Sequence, residues 1–203
     1  MALYHFSAKV LSHSTRNTVG AVAYRAGCQL SDVRTGEDFD YANKAVQHVE
    51  LVVPRNAPQW IRELQDLIKA NRQEGVQALS EKVEAAEYRV NSQVWREIEV
   101  ALHRELTNEQ NIALVREFAA DQLCGRGMTA LLNFHFDVDK KTGEAKPHCH
   151  ILLTMRTLEE EGFSSKKERS WNTKAFIQEL REQWANYSNF HLSYSQKLVM
   201  EQK

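Results

Sequence analysis

The sequence has little of what divides a chain into parts: three prolines, eight glycines, and no Gly/Ser-rich linker, internal repeat or low-complexity tract. Nothing marks a domain boundary, so the 203 residues read as one domain, long enough to bury a sizeable core. Cysteine is scarce too. Cys28, Cys124 and Cys149, widely spaced, make neither a disulfide framework nor a zinc ribbon, which points to a reducing, cytoplasmic compartment. No apolar run approaches the roughly 18 residues of a membrane helix, and MALYHFSAKV lacks the core of a signal peptide, so no membrane insertion is expected. An excess of positive charge is also missing. With a formal net charge of -1, any anionic partner must be held by local patches, stacking or a metal. There is no G-x-S-x-G, no phosphate-binding glycine loop and no recognisable Cys/His pair, which sets aside serine hydrolases, P-loop enzymes and thiol hydrolases.

What is present is a loose alternation of strand and helix signals. LYHFSAKVL alternates as a strand, and NTVGAVAYRAG reads as a short helix with Asn17 as cap and Gly27 as stop. HVELVVP is strand-like up to Pro54. A helical stretch runs from about Pro58 to Tyr88, with Gly75 expected to break it. QVWREIEVAL is a strand, TNEQNIALVREFAADQL a capped amphipathic helix and TALLNFHFDVD another strand. The short loop KKTGEAK turns this strand into PHCHILLTMR, which predicts an antiparallel hairpin, and TKAFIQELREQWANYSNFHLS closes the chain as a helix. The pattern predicts an α+β fold with helices layered on a sheet.

Alternation assigns the faces of the hairpin. Leu132, Phe134, Phe136 and Val138 take one side, and Asn133, His135 and Asp137 the other. In the next strand Cys149, Ile151, Leu153 and Met155 are the apolar set, while His148, His150, Thr154 and Arg156 point the opposite way with Leu152. Two histidines two apart stand roughly 6.5 Å from each other. If His135 faces them across the hairpin, three imidazoles converge on one point, with open positions left for a reactant. Cys149, although it lies between two of them, belongs to the core. In QVWREIEVAL, Val94, Arg96, Ile98, Val100 and Leu102 share one face, and Trp95, Glu97 and Glu99 the other, where a carboxylate could orient an imidazole. An isolated strand histidine or glutamate is more often a solvated or hydrogen-bonded surface residue.

The candidate nucleophile is Tyr24, on a helix whose small residues Gly20 and Ala21 leave room beside the ring. Taken together, MALYHFSAKVLSHSTRNTVGAVAYRAG, VWREIEVALHRELT and NFHFDVDKKTGEAKPHCHILLTMR resemble the successive motifs of the MobA/MobL relaxases, including TraA-type plasmid transfer proteins, as far as about Trp184. The resemblance implies a central antiparallel β-sheet flanked by helices, with the histidines on two adjacent central strands. It implies an HUH-type DNA strand transferase that nicks single-stranded DNA at a plasmid origin of transfer. Tyr24 falls on the family's nucleophile, His135, His148 and His150 on its metal triad, and Glu97 on the acidic residue supporting them. The implied cofactor is a divalent metal, Mn2+ or Mg2+ by resemblance, with Zn2+ and Ni2+ open from the ligand type. Implied partners are the origin DNA, relaxosome accessory proteins and a type IV secretion coupling protein. Family members are often longer, and the charged end VMEQK suggests that residues 1 to 203 are the N-terminal relaxase domain of a longer protein.

Tyr4, Tyr41, Tyr88, Tyr187 and Tyr194 lie outside the matching block and read as packing or surface residues, as do His5 and His13. For DNA, SSKKERSWNTK interleaves Lys166, Lys167, Arg169 and Trp171, a mix of charge and stacking surface that suits a single strand. Arg16 and Arg25 are candidate phosphate contacts near Tyr24. Two rivals remain open from the residues alone: a metal-dependent phosphodiester hydrolase with Tyr24 structural, and a non-catalytic metal-stabilised DNA-binding domain.

Overall fold

Five apolar or alternating stretches build the central sheet of the computed structural model, which describes residues 5–138 and 141–201. They are β1 (Phe6–Ser12), β4 (His48–Val52), β5 (Gln93–Ala101), β6 (Ala130–Val138) and β7 (Ala145–Thr154). Their order is β1-β5-β7-β6-β4, with every neighbouring pair antiparallel. The expected hairpin is β6–β7, at the centre of the sheet, and it puts His135 directly opposite His148 and Asn133 opposite His150. Two small ribbons stand outside the sheet: β2 (Gln29–Asp32) with β3 (Glu37–Asp40), and β8 (Leu158–Glu159) with β9 (Gly162–Phe163).

The period-two alternation of the strands makes both faces apolar enough to be covered. One face packs with α4 (Asn108–Phe118) and α5 (Lys174–Glu201) around Ile98, Leu132, Phe134, Cys149, Phe118 and Trp184. The other packs with α1 (Thr18–Ala26), α2 (Gln59–Ala70) and α3 (Arg72–Ala86) around Leu11, Leu51, Trp95, Leu131 and Leu152. Thr107 and Gln110 form the expected capping box of α4, each satisfying a backbone N–H of the other. No helix among the described residues is long and apolar enough to cross a membrane.

Four local expectations need correction. Gly75 does not break the long helix: the break is at Asn71, whose extended backbone (φ -144°, ψ 93°) ends α2 while its side chain caps α3. Gly75 sits inside α3, where a Cβ would come within 2.5 Å of Ile68, so its role is to let the two helices cross closely. Val94 packs with Trp95 on the α1–α3 side instead of with Ile98, because the β1–β5 register shifts there: Leu11 pairs with Trp95 but Ser12 with Gln93. The space beside Gly20 is not open to a substrate, since the Phe39 ring from β3 fills it, 2.8 Å from where a Cβ would be. Finally, β7 begins at Ala145, inside the segment expected to be loop. Lys140 of that loop, and Tyr4 with the start of LYHFSAKVL, lie outside the described residues.

Candidate active site

The helix α1 carries two consecutive side chains that turn to different surroundings. Asn17 caps it, accepting from the Gly20 N–H at 2.9 Å, and Gly27 ends it in the left-handed conformation (φ 61°). Between them Tyr24 points outward, 46% exposed, while Arg25 points inward and is buried. The buried neighbour ties the exposed one to the sheet. The Arg25 guanidinium forks onto Glu97 of β5 (Nε to Oε1 2.7 Å, Nη2 to Oε2 2.6 Å), and its carbonyl accepts from His135 Nε2 at 3.0 Å.

His135, His148 and His150 have ring centroids 4.9–5.2 Å apart. Each spends one nitrogen as a donor to an acceptor: His135 Nε2–H to the Arg25 carbonyl, His148 Nδ1–H to the Lys146 carbonyl at 2.9 Å, and His150 Nδ1–H to the Glu97 carboxylate at 2.7 Å. The partners fix the tautomers, leaving a lone pair on Nδ1 of His135 and on Nε2 of His148 and His150. One ligand atom from each of the three lies within 4.8 Å of the others, so the set could hold a metal ion. His135 Nδ1 is buried without a hydrogen-bond partner, with the Asp137 carboxylate 4.0 Å away. A buried acceptor without a partner calls for an explanation, and a bound ion is one that the neighbouring imidazoles could share.

The surroundings of the cluster keep His135 neutral and Glu97 ionised. Burial first, then the charges of Lys44, His148 and His150, pulls His135 down to about 3, so it stays a neutral ligand at pH 7. Burial alone would raise Glu97, but hydrogen bonds from His150 and Arg25, with the Arg25 charge, outweigh it and hold the carboxyl at about 2. Lys9 adds a second cation 3.3 Å from Glu97 Oε2. Glu97 therefore orients His150 and anchors Arg25. It is committed on both oxygens.

Two residues that the sequence reading did not select stand beside Tyr24. The Lys44 Nζ lies 3.4 Å from the centroid of the Tyr24 ring and donates to the Tyr24 carbonyl at 3.1 Å. Tyr41 meets the same ring edge-on, with centroids 5.2 Å apart and planes at 88°. Both come from the irregular segment after β3, which carries no periodic signal. A lysine and a tyrosine three apart within YANK were the available cue.

Other candidates divide. Cys149 is buried on the opposite face, as alternation requires, and burial pushes its thiol up. His5 approaches the site only through Glu99, at 4.0 Å, and His13 bonds Glu84 and the Arg89 carbonyl near the other end of α1. Arg25 is not available to a phosphate, because Glu97 and the Ala21 carbonyl occupy its guanidinium. Trp171 is not a stacking surface: it is 5% exposed and anchors its segment in the α4–α5 core. Lys167 is paired with Glu87 at 2.9 Å, beside an Arg156–Glu87 pair at 2.7 Å. Lys166 and Arg169 are exposed, and with Arg89, Tyr88 and Asn91 they line an open groove at the start of β5. Arg16 is exposed in the turn before α1.

Residues 16–199 match the model of the MobA/MobL family. The chain is 39% identical over 170 residues to conjugal transfer protein TraA of Agrobacterium fabrum, covering 82% of this chain and 15% of that protein. It is 34% identical over 189 residues to mobilization protein MobL of Acidithiobacillus ferridurans, covering 82% of this chain and 46% of that one. The chain thus spans a minor part of the length of these curated relatives. Among solved structures it is similar to a chain from the molecular basis of vancomycin resistance transfer in Staphylococcus aureus, with a TM-score of 0.78, 32% identity, and 95% and 94% of the two chains covered.

Proposed function

The chain belongs to the MobA/MobL family, and from that premise we propose that it is a relaxase domain that nicks single-stranded DNA at a plasmid origin of transfer, with Tyr24 as nucleophile. The observation that carries this reading is the junction at Arg25. One exposed tyrosine stands next to the residue whose backbone and side chain bind two members of the histidine–glutamate cluster. A hydrolase that activates water would have no need of such a tyrosine.

The fit of the cluster to a metal rests on the three inward lone pairs and the orphaned His135 Nδ1. Three neutral imidazoles favour Mn2+, Zn2+ or Ni2+ over Mg2+, which prefers oxygen ligands. His135, His148 and His150 would hold such a metal, and it would supply Lewis acidity toward the scissile phosphate. The protein's own part is positional: Glu97 holds the His150 ring, Arg25 holds Glu97 and α1, and α1 presents the phenol. The Tyr24 oxygen bonds to phosphorus as the bond to the 3'-oxygen breaks, and the phenol proton is balanced by the one gained by the leaving 3'-hydroxyl. The product is a 5'-phosphotyrosine, which keeps the phosphodiester energy and lets the strand be rejoined.

The groove lined by Arg89, Lys166 and Arg169, with Tyr88 72% exposed beside them, combines cations and a stacking ring, as a single strand requires. We assign it, with Arg16, to the DNA flanking the nick. Relaxosome proteins and a secretion coupling protein are the protein partners this reading calls for.

The test is a denaturing gel after incubation with a panel of 3'-labelled origin oligonucleotides. The wild-type protein takes up the label covalently, the Tyr24→Phe protein does not, and a chelator abolishes uptake. Metal-dependent cleavage with no adduct, or nicking that survives Tyr24→Phe, would overturn the assignment in favour of a hydrolase.

A further inference from the structure

Resting on the relaxase reading, we propose that Lys44 is a positioning residue for the nucleophile: its ammonium, clamped over the Tyr24 ring, orients the phenol and supplies the positive charge against which the attacking oxygen develops. The clamp is built from the backbone outward. The Tyr41 N–H bonds the Cys28 carbonyl at 3.1 Å, and the Lys44 N–H bonds the Tyr41 carbonyl at 2.9 Å, so the segment is hung from the end of α1. At that end the chain passes so close over Gly27 that a Cβ would stand 2.9 Å from the Lys44 carbonyl and 2.7 Å from Val46. Only glycine satisfies both the left-handed turn and this approach. The Lys44 backbone is thereby fixed relative to the helix that carries Tyr24.

The side chain then has two contacts with one residue, the Tyr24 carbonyl and the Tyr24 ring face. Tyr41 meets that ring edge-on. The ring is held on a face and at a neighbour while the residue remains 46% exposed, which leaves its outer part free to meet DNA. A cation over a neutral ring is attracted by the ring quadrupole, and the attraction grows as negative charge builds on the phenol oxygen and spreads into the ring. The contact is therefore stronger in the transition state than in the ground state, which is the condition for raising a rate. Burial, with the Arg25 charge adding to it and the Asp137 charge opposing, draws Lys44 down to about 8, so the ammonium is still charged at neutral pH.

The experiment compares Lys44→Met and Lys44→Arg with wild type in single-turnover adduct formation on a 3'-labelled origin oligonucleotide that wild type cleaves. Oligonucleotide Kd, Mn2+ affinity and melting temperature are measured alongside. Lys44→Met should slow adduct formation roughly tenfold to a hundredfold, with Kd and metal affinity unchanged, and Lys44→Arg should restore most of the rate. A Lys44→Met protein that forms adduct at the wild-type rate overturns the proposal. So does a slow one whose loss is matched by weaker metal binding or melting, or that Arg does not rescue. Failure of the wild-type protein to form any adduct would instead sink the relaxase reading, so the two ideas fail separately.

Discussion

On the side of the sheet packed by α4 and α5, Ile98, Val100, Leu132, Phe134, Cys149 and Ile151 are completely buried in one apolar cluster. On the other side, beside the apolar Leu131 and Leu152, the same strands carry Glu97, Asn133, His135 and His150, four polar residues at most 8% exposed. The same strands, offset by a single residue, thus carry two kinds of interior. On the first, depth alone stabilises. On the second, depth would be costly without partners, and each group has at least one: Glu97 with Arg25, Lys9 and His150, Asn133 with the Leu131 and His150 carbonyls, His135 with the Arg25 carbonyl. The difference separates stability from chemistry inside one hairpin, so substitutions on the two faces should fail in different assays.

The largest expected effect is on the chemical side. Tyr24→Phe should remove all covalent adduct while shifting stability by less than about 0.5 kcal/mol, as for an exposed side chain, checked by gel and by urea denaturation on the same preparation. Next, Ile151→Ala should cost about 2–5 kcal/mol through the cavity it opens, yet the protein that remains folded should bind Mn2+ as tightly as wild type. A large loss of metal affinity in that variant would break the comparison. Glu97→Gln keeps the shape but removes the charge that orients His150, and should weaken metal binding about tenfold to a hundredfold by calorimetry, with His148→Ala as the stronger reference.

A further effect is graded with pH and belongs to the polar face. Glu97 has its folded carboxyl depressed from 4.5 to about 2, so its stabilisation is present above pH 4.5 and lost as pH falls through about 2. His135 adds to the same slope: the unfolded imidazole takes a proton below its ordinary 6.5 while the buried one stays neutral down to about 3. Metal-free protein should therefore lose stability steadily from pH 6.5 to 3, read as falling urea midpoints, and Glu97→Gln should flatten the part of that decline below 4.5.

Much of this was legible from alternation, which needs only the period of two. It put His135, His148 and His150 on one side and Cys149 on the other because a strand allows no third choice. The register shift at Val94 was not legible, since a bulge leaves no mark in composition. The break at Asn71 lost to Gly75 because glycine is the commoner breaker, while here its missing side chain serves a helix crossing. The β2–β3 ribbon hid in QLSDVRTGEDFD, where acidic residues depress strand propensity. Trp171 and Arg25 were misread for a shared reason: between cations, an aromatic ring or a guanidinium looks the same whether it faces DNA or the core, and only packing decides. Lys44 was missed because a lysine in an irregular segment acquires meaning from what lies beneath it.

The pairing of His135 with His148 has a consequence for quality control during folding. Slipping β7 by one residue against β6 would carry both of its histidines into the apolar layer and bring Cys149 out among the charges. The polar cluster and the apolar cluster would be lost in the same step. A molecule that has folded stably has therefore already passed inspection of its histidine cluster, and no long-lived population of well-folded but misaligned protein should accumulate.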